Sequence, residues 1–260
     1  MNEGMAATSG ARGVRSIQAL ALVRPTIRTI RWAGVVGGAA AAQLVLWAAK
    51  GELSKGGTIP LLPIRVAAVV LCLGTAFILD DEAGATVEPA VASLVVRRGL
   101  RLALTVPVVG MAWGAALWTA SRMAASGHET GPVALRSLPV AGLTLEAAAF
   151  LAVTLAAGAV ATRSLGHGKG GVAAGPTLLA FVMAMLSIGR YWPLFEESPI
   201  EPGWAAAHMR WASILAAAVI VLVAASLDPA RRPRILRRGR RPQRHGLARG
   251  ASWAPVGGGR

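Results

Sequence analysis

Six long apolar runs, separated by short polar gaps, dominate the chain between residues 32 and 227. In chain order they are Trp32–Ala49, Leu61–Leu79, Leu102–Ala120, Val140–Thr162, Val172–Gly189 and Trp211–Leu227. The hydrocarbon core of a bilayer requires about 20 helical residues, within a range of roughly 17–25, and every run fits that range. Arg65 and Glu146 are the two charged side chains within the runs. The pattern predicts an all-α, polytopic membrane protein with six transmembrane helices.

The positive charges predict how these helices are oriented. Of the 27 lysines and arginines, five precede the first run, three lie in the second gap, two lie in the fourth gap and ten follow the last run. The remaining seven occupy the other gaps and the start of the second run. Positive residues near span ends favour the cytoplasmic side of a membrane. We therefore expect both termini to be cytoplasmic and the protein to lie in the plasma membrane.

The composition agrees with a membrane location. Hydrophobic residues make up 54% of the chain and charged residues 15%, whereas about 25% of a typical soluble domain is charged. A net charge of +15 is also found in nucleic-acid-binding proteins. Here, however, the basic residues flank the runs or lie in the C-terminal tail, where Trp253 is the only aromatic residue. This arrangement favours contact with anionic lipid and predicts no nucleic-acid partner.

Three regions follow from these patterns. Residues 1–31 form an N-terminal cytoplasmic segment, and residues 32–227 form the six-helix transmembrane domain. Residues 228–260 form a basic cytoplasmic tail that we expect to be disordered or to lie on the membrane. From Arg15 to Arg31, apolar residues recur three and four apart, which predicts an amphipathic helix in the membrane interface. A loop whose arginines reach toward the headgroups is the alternative.

Small residues four apart occur in two of the runs, as Gly34 with Gly38 and as Gly110 with Gly114. This spacing lets helix backbones approach closely, and close packing is what holds helices together in lipid. The two pairs predict a compact bundle but do not identify which helices touch.

The second gap, residues 80–101, combines acidic and basic residues. Its charged residues are, in order, Asp80, Asp81, Glu82, Glu88, Arg97, Arg98 and Arg101. The acids at its start and Pro89 predict a short helix, a break and a second helix that continues into the third span. Such a segment, held outside the bilayer by two spans, can dock to a cytoplasmic partner. The alternative is that the acids pair with the arginines and simply mark the end of the span.

The fifth gap, residues 190–210, places aromatic residues on both sides of an acidic turn. Its candidate residues are Tyr191, Trp192, Glu196, Glu197, Trp204 and His208. Aromatic side chains concentrate at membrane–water interfaces, so we expect both aromatic groups to lie in the outer interface. The segment is either a short re-entrant pair or a surface loop with aromatic anchors.

Residues that carry enzyme chemistry do not converge anywhere in the sequence. The four histidines are dispersed, no metal-ligand spacing is present, and Cys72 is the single cysteine. Gly166–Gly171 surround Lys169 with glycines but lack the spacing of a phosphate-binding loop, so we expect a flexible inner loop there. We predict no catalytic residues, no metal site, no cofactor on this chain and no enzymatic activity.

Glu146 lies six residues after the start of the fourth run. A carboxylate inside a membrane is costly and tends to face the interior of the bundle. It could form part of a polar pathway or carry a proton, which would make the protein a proton-linked transporter. The alternative is a group that reaches the nearby interface or is protonated. The sequence shows no evident partner for it.

Two segments resemble the membrane subunits of ABC-2-type exporters of actinobacterial type. The first runs from Leu79-Asp80-Asp81-Glu82-Ala83 through Glu88-Pro89 to Arg97-Arg98 and the following apolar span. The second is the entry into the last span, with Trp204, His208 and Arg210-Trp211. The similarity extends over roughly residues 15–235.

The resemblance implies a permease subunit that moves a cargo with energy from a separate cytoplasmic ABC ATPase. The second gap would be the coupling helix, Arg15–Arg31 the elbow helix, and the fifth gap an outer re-entrant hairpin. Asp80, Asp81, Glu82, Glu88, Arg97 and Arg98 are the candidates for contact with the ATPase. The chain would form a dimer with an identical or a different permease, and its apolar spans suit a hydrophobic or amphipathic cargo. A membrane scaffold or regulator without transport activity is the alternative class.

Overall fold

The structure, a computed structural model, describes residues 26–54, 59–80, 94–126, 138–165, 169–189, 191–196 and 200–227. The chain divides into two units, Met1–Leu227 and Asp228–Arg260. The second unit, which is the predicted basic tail, lies outside the described residues. Residues 1–25, which include most of the predicted interfacial helix, also lie outside them.

Six long helices, a short helix at Lys50–Leu53 and the helical residues 26–29 make up the regular structure of the described residues. The long helices are α1 (Trp32–Ala48), α2 (Leu62–Gly74), α3 (Leu94–Ser126), α4 (Val140–Leu165), α5 (Gly170–Ile188) and α6 (Gly203–Ser226). Four of them, α3 to α6, are long and apolar enough to cross a membrane. The other two, α1 and α2, are apolar but have 17 and 13 residues. The described part of the chain is thus helical, as predicted, with four helices of spanning length.

Prolines mark the starts of three helices. Pro63 lies in the first turn of α2, whereas Pro139 and Pro202 directly precede α4 and α6. The first N–H groups of a helix have no acceptor within it, so a residue without an N–H is tolerated there. Pro107 and Pro176 lie inside α3 and α5, and both helices continue through them.

The second predicted run extends to Leu79, but α2 ends at Gly74. The chain continues from there in tight turns. The N–H groups of Thr75, Ile78 and Asp80 each donate to the carbonyl three residues earlier. Backbone groups must be satisfied internally in an apolar environment, and these bonds satisfy them after the α-helix has ended. The apolar run therefore continues as turns as far as Asp80.

Glycines bring α1 and α2 into backbone contact. A Cβ built on Gly74 would lie 2.5 Å from the carbonyl oxygen of Gly34 and 2.8 Å from the Cα of Gly38. No side chain fits at these three positions, so the close packing predicted for Gly34 and Gly38 is confirmed. A Cβ at Gly110 or Gly114 would meet nothing within 4 Å. In the part of the chain that the structure describes, this second pair faces open space on α3.

The helix α4 lies at the centre of the bundle, where it contacts α2, α5 and α6. Half of its apolar window is buried, against 17% of the corresponding windows of α5 and α6. The helix α1 packs on α2 and α3, and α5 and α6 make little contact with each other. Trp211 and Phe150 are the two largest fully buried side chains, and they join α6 to α4 in the core.

Candidate functional site

Polar side chains meet at the two opposite ends of the helix bundle. At one end, Arg65 of α2, Glu146 of α4 and His208 of α6 come together, each within the first two turns of its helix. At the other end, Asp80, which follows α2, meets the first turn of α5 at Gly171. We call the first group the Arg65 cluster. The second group, the Asp80 cluster, also includes Arg98, Arg101 and Thr162. Successive helices therefore run in alternate directions.

The side chains of Arg65 and Glu146 form a two-point ion pair. Arg65 Nε donates to Glu146 Oε2 at 2.8 Å, and Arg65 Nη2 donates to Glu146 Oε1 at 3.0 Å. The two side chains are only 8% and 1% exposed. Planar pairing of guanidinium with carboxylate gives strong, directional hydrogen bonds, which offset the cost of removing both charges from water. The pair fastens α2 to α4.

This pairing corrects the view that Glu146 has no partner and reaches the nearby interface. A carboxylate with 1% exposure faces the interior of the bundle, where it is neutralised by Arg65. The sequence did contain a signal for this contact. Arg65 and Glu146 are opposite in charge, and each lies a few residues after the start of an even-numbered run. In a bundle of alternating helices, two such positions lie at a similar depth.

Arg65 also holds the segment that follows α5. Its Nη2 donates to the backbone oxygen of Glu196 at 2.8 Å, and its guanidinium carbon lies 5.3 Å from the centre of the Phe195 ring. Two neighbouring carbonyls are also satisfied by α6. Arg210 donates to the oxygen of Pro193, and Trp211 Nε1 donates to that of Leu194 at 2.9 Å. Segment 191–196 therefore folds back against the bundle, with its carbonyl groups hydrogen-bonded.

His208 lies beside the ion pair. Its Nε2 is 3.6 Å from Glu146 Oε1, and its Nδ1 is 2.8 Å from the carbonyl oxygen of Trp204. The imidazole ring packs against the Trp204 ring with 4.2 Å between the ring centres. Gly142 of α4 makes room for both rings, because a Cβ there would collide with His208 Nε2 and with the Trp204 ring. The histidine is thus fixed at the edge of the pair.

Aromatic rings close the Arg65 cluster toward the middle of the bundle. Trp211 is surrounded edge-on by Phe150, Phe195 and Phe181, at ring-centre distances of 5.1, 5.5 and 6.4 Å. Edge-to-face contacts of this kind add to the energy of burying the rings. Phe150 lies one turn after Glu146 along α4. The ion pair is therefore bordered, on the side toward the middle of the bundle, by this layer of aromatic rings.

The other predicted residues of the fifth gap take different positions. Tyr191 is 85% exposed, and Trp192 is exposed with its ring 5.9 Å from the Arg210 guanidinium. The carboxylate of Glu196 lies against Gly203, the first residue of α6, where the partial positive charge of a helix N-terminus favours an anion. Glu197 lies outside the described residues. Of the predicted set, Glu196, Trp204 and His208 contribute to the Arg65 cluster or its surroundings.

At the other end of the bundle, Asp80 binds two helices at once. Its Oδ1 accepts from the N–H of Gly171 at 3.0 Å, and its carbonyl oxygen accepts from Arg101 Nη1 at 2.8 Å. The carboxylate therefore caps the N-terminus of α5 from a neighbouring segment. Gly170 makes this approach possible, because a Cβ there would lie 2.7 Å from Asp80 Oδ1. Gly170 and Gly171 thus form the first turn of α5 rather than part of the predicted flexible loop.

This geometry removes Asp80 from the predicted docking residues. The side chain is 6% exposed and hydrogen-bonded inside the bundle, so it offers no surface to a cytoplasmic partner. Arg98 is half-buried and donates to the carbonyl of Ala225 and to the hydroxyl of Thr162, which joins α3 to α6 and α4. Arg97 is half-buried as well. The predicted contacts Asp81, Glu82 and Glu88 lie outside the described residues.

Within the described ranges, no three His, Cys, Asp or Glu side chains are placed to bind a metal ion. Cys72 is buried in α2, with its Sγ 3.8 Å from the carbonyl of Ala147. A proton could pass between Glu146 and His208 only if their 3.6 Å separation shortened. Comparisons of this chain with family models, with curated proteins and with solved structures found no match.

Proposed function

We propose that the chain is a six-span permease subunit of an ABC-2-type exporter, and that a separate cytoplasmic ATPase drives it. The observation that carries this proposal is the position of Asp80. This residue lies where the chain leaves α2, and it is bonded to α3 through Arg101 and to α5 through Gly171. A force applied to the segment that joins α2 to α3 would therefore be transmitted to α2, α3 and α5. A coupling segment must transmit force from the ATPase to several helices in this way.

The spacing of the two clusters supports six spans. Arg65 and Asp80 are separated by about 25 Å along α2 and its terminal turns, at about 1.5–2.0 Å per residue. Glu146 and Thr162 on α4 are about 24 Å apart by the same measure. The hydrocarbon core of a bilayer is about 30 Å thick, which is close to both values. With its turns included, the short helix α2 covers the same depth as α4, and α1 has enough residues to run beside it.

The charges near each end support the proposed orientation. Arg98, Arg101, Arg163 and Lys169 lie at the end of the bundle that contains the Asp80 cluster. The preference of positive residues for the cytoplasmic side puts this end inside the cell and the Arg65 cluster outside. Segment 191–196, folded back against the bundle, then corresponds to the outer re-entrant hairpin that the resemblance implies.

Cysteine labelling tests the spans and their orientation. In a Cys72→Ser background, we expect Tyr191→Cys to react with a membrane-impermeant maleimide in intact cells. Leu165 is exposed at the C-terminal end of α4, which is the end of the bundle opposite to Tyr191. Leu165→Cys should therefore react only after the membrane is permeabilised. The reverse result would overturn the orientation, and reaction of both residues from the same side would overturn the alternation of spans.

Co-purification tests the partnership with an ATPase. The chain is expressed together with a cytoplasmic ABC ATPase from the same organism, and the complex is isolated through a tag on the permease. Replacement of Asp81, Glu82 and Glu88 by Lys should remove the ATPase from the complex and abolish transport. The matched control is Glu52→Lys, an exposed acid at the opposite end of the bundle, which should leave the complex intact. An intact, active complex in the triple variant would contradict the docking proposal.

A proton-linked transporter is the second candidate, because Glu146 is a buried acid with His208 at its edge. In that case transport would continue without any ATPase and would stop in the Glu146→Gln variant. A membrane scaffold would show neither ATPase binding nor transport. Co-purification, combined with transport measured with and without the ATPase, therefore distinguishes the three classes.

A further inference from the structure

A cleft opens between α5 and α6, over the surface of α4. Both helices pack on α4 but make little contact with each other, which leaves an apolar trough of about 590 Å³ on the outside of the bundle. This volume lies within the range of sites that bind small ligands, roughly 300–1,000 Å³. Its lining includes Ala157 and Val160 of α4, Ala173 of α5, and Ala217 and Val221 of α6.

The interior of the cleft is apolar in its chemistry. Ser164 and Thr177 are the two hydroxyl-bearing residues of its lining. Ser164 Oγ donates to the carbonyl of Val160, and Thr177 Oγ1 donates to that of Ala173. Both hydroxyls are therefore satisfied by their own helices, so the cleft suits a hydrocarbon chain and not a polar ligand.

Two basic residues stand at one end of this cleft. Arg163 is exposed at the end of α4, where its Nη1 donates to the carbonyl of Ala224 and spans the gap to α6. A guanidinium carries five donors, and this bond uses one of them. Lys169 is exposed and directly precedes α5, four residues before Ala173 in the chain. Arg163 adjoins the lining residue Ser164, and Lys169 precedes the lining residue Ala173, so two positive charges lie near this end of the trough.

We propose that this cleft binds an anionic phospholipid of the surrounding bilayer. One acyl chain lies in the trough between α5 and α6, and the phosphate contacts Arg163 and Lys169. The positive charges of Arg163 and Lys169 favour an anionic headgroup, and the apolar lining of the cleft favours an acyl chain. The proposal rests on the membrane embedding of the bundle, which is part of the proposed function, and is independent of the ATPase and of any cargo.

Photolabelling tests the proposal. The full-length protein is reconstituted in phosphatidylcholine vesicles that contain a small fraction of phosphatidylglycerol with a diazirine in its acyl chain. After illumination, mass spectrometry should locate the label on peptides that cover residues 153–165 and 214–221. Ala217→Phe fills the cleft and should remove most of this label. Ala216→Phe places the same ring on the neighbouring exposed position outside the lining, and the label should remain.

The headgroup is tested with a second pair of variants. The phosphatidylglycerol probe should label the cleft more strongly than a phosphatidylcholine probe with the same chain. Lys169→Gln should lower this preference about fivefold, the expected effect of one cationic residue near the surface. Lys50→Gln, which removes an exposed lysine at the opposite end of the bundle, should leave it unchanged.

Three results would overturn the proposal. The first is equal labelling of the Ala217→Phe and Ala216→Phe variants. The second is equal labelling of the wild-type protein by the phosphatidylglycerol and phosphatidylcholine probes. The third is that the wild-type protein forms a dimer and that Ala217→Phe dissociates it. The last result would assign the cleft to a second copy of the chain. Loss of ATPase co-purification would leave the lipid result unaffected, whereas failure of the topology experiment would remove the basis for both proposals.

Discussion

Arg65 and Glu146, which are 81 residues apart in the chain, are joined by hydrogen bonds of 2.8 and 3.0 Å inside the helix bundle. The pair connects the N-terminal ends of α2 and α4, and through the Glu196 carbonyl it also holds segment 191–196. One guanidinium therefore fixes the relative position of two helices and of the chain between α5 and α6. Because both charges are buried, each depends on the other for its stability in the interior.

The first prediction concerns this pair. Glu146→Leu leaves the Arg65 charge buried and unpaired, which should destabilise the protein by about 3–5 kcal/mol. Removal of both charges, as in Arg65→Met with Glu146→Leu, should restore most of the stability, because apolar residues of similar size replace the pair. Thermal unfolding of the purified protein in detergent measures both variants. A double variant as unstable as the single one would show that the pair does not act as a unit.

The second prediction concerns the contact between α1 and α2. Gly74→Ala places a Cβ 2.5 Å from the Gly34 carbonyl oxygen, so the two helices must separate. We expect a loss of about 1–3 kcal/mol, as for other overpacked positions, measured as a lower unfolding temperature. Gly37→Ala on the same α1 helix meets nothing within 4 Å and should be neutral or slightly stabilising. Equal effects of the two substitutions would contradict the close packing.

The sequence was informative about helices and less so about their contacts. Apolar runs predict spans because every backbone group in lipid must be paired within the helix, and this constraint is local. The pairing of Arg65 with Glu146 depends on which helices are neighbours, which a single sequence does not encode locally. The early end of α2 at Gly74 is also not predictable from hydropathy, because the turns that follow are as apolar as the helix. The hydrogen bond from the Gly171 N–H to Asp80 is hidden from the sequence for a related reason, since it depends on the position of α5.

The third prediction concerns the cap that Asp80 provides. Asp80→Ala removes the acceptor for the Gly171 N–H at the start of α5 and should destabilise the protein by about 0.5–2 kcal/mol. Asp80→Asn keeps an oxygen at the same position and should have a smaller effect. Because the side chain is buried, Asp80→Asn should still co-purify with the ATPase. Loss of the ATPase from a stable Asp80→Asn protein would return Asp80 to the docking surface.

The fourth prediction concerns the hold of α6 on segment 191–196. Trp211 Nε1 donates to the carbonyl of Leu194, a residue that is only 1% exposed. Trp211→Phe keeps an aromatic ring among Phe150 and Phe195 but leaves that carbonyl without this donor. An unsatisfied buried polar group costs about 1–3 kcal/mol, so the segment should open more often. Limited proteolysis of the purified protein should cut within residues 190–202 faster than in the wild type.

The control for this experiment is Trp118→Phe, which makes the same change at a side chain that is 66% exposed on α3. Its unfolding temperature and cleavage rate should match those of the wild type. If Trp211→Phe lowered the unfolding temperature without faster cleavage between residues 190 and 202, its effect would come from core packing alone. The indole would then have no special part in holding the segment, and the ion-pairing Arg65, which also binds the Glu196 carbonyl, would be sufficient to keep it in place.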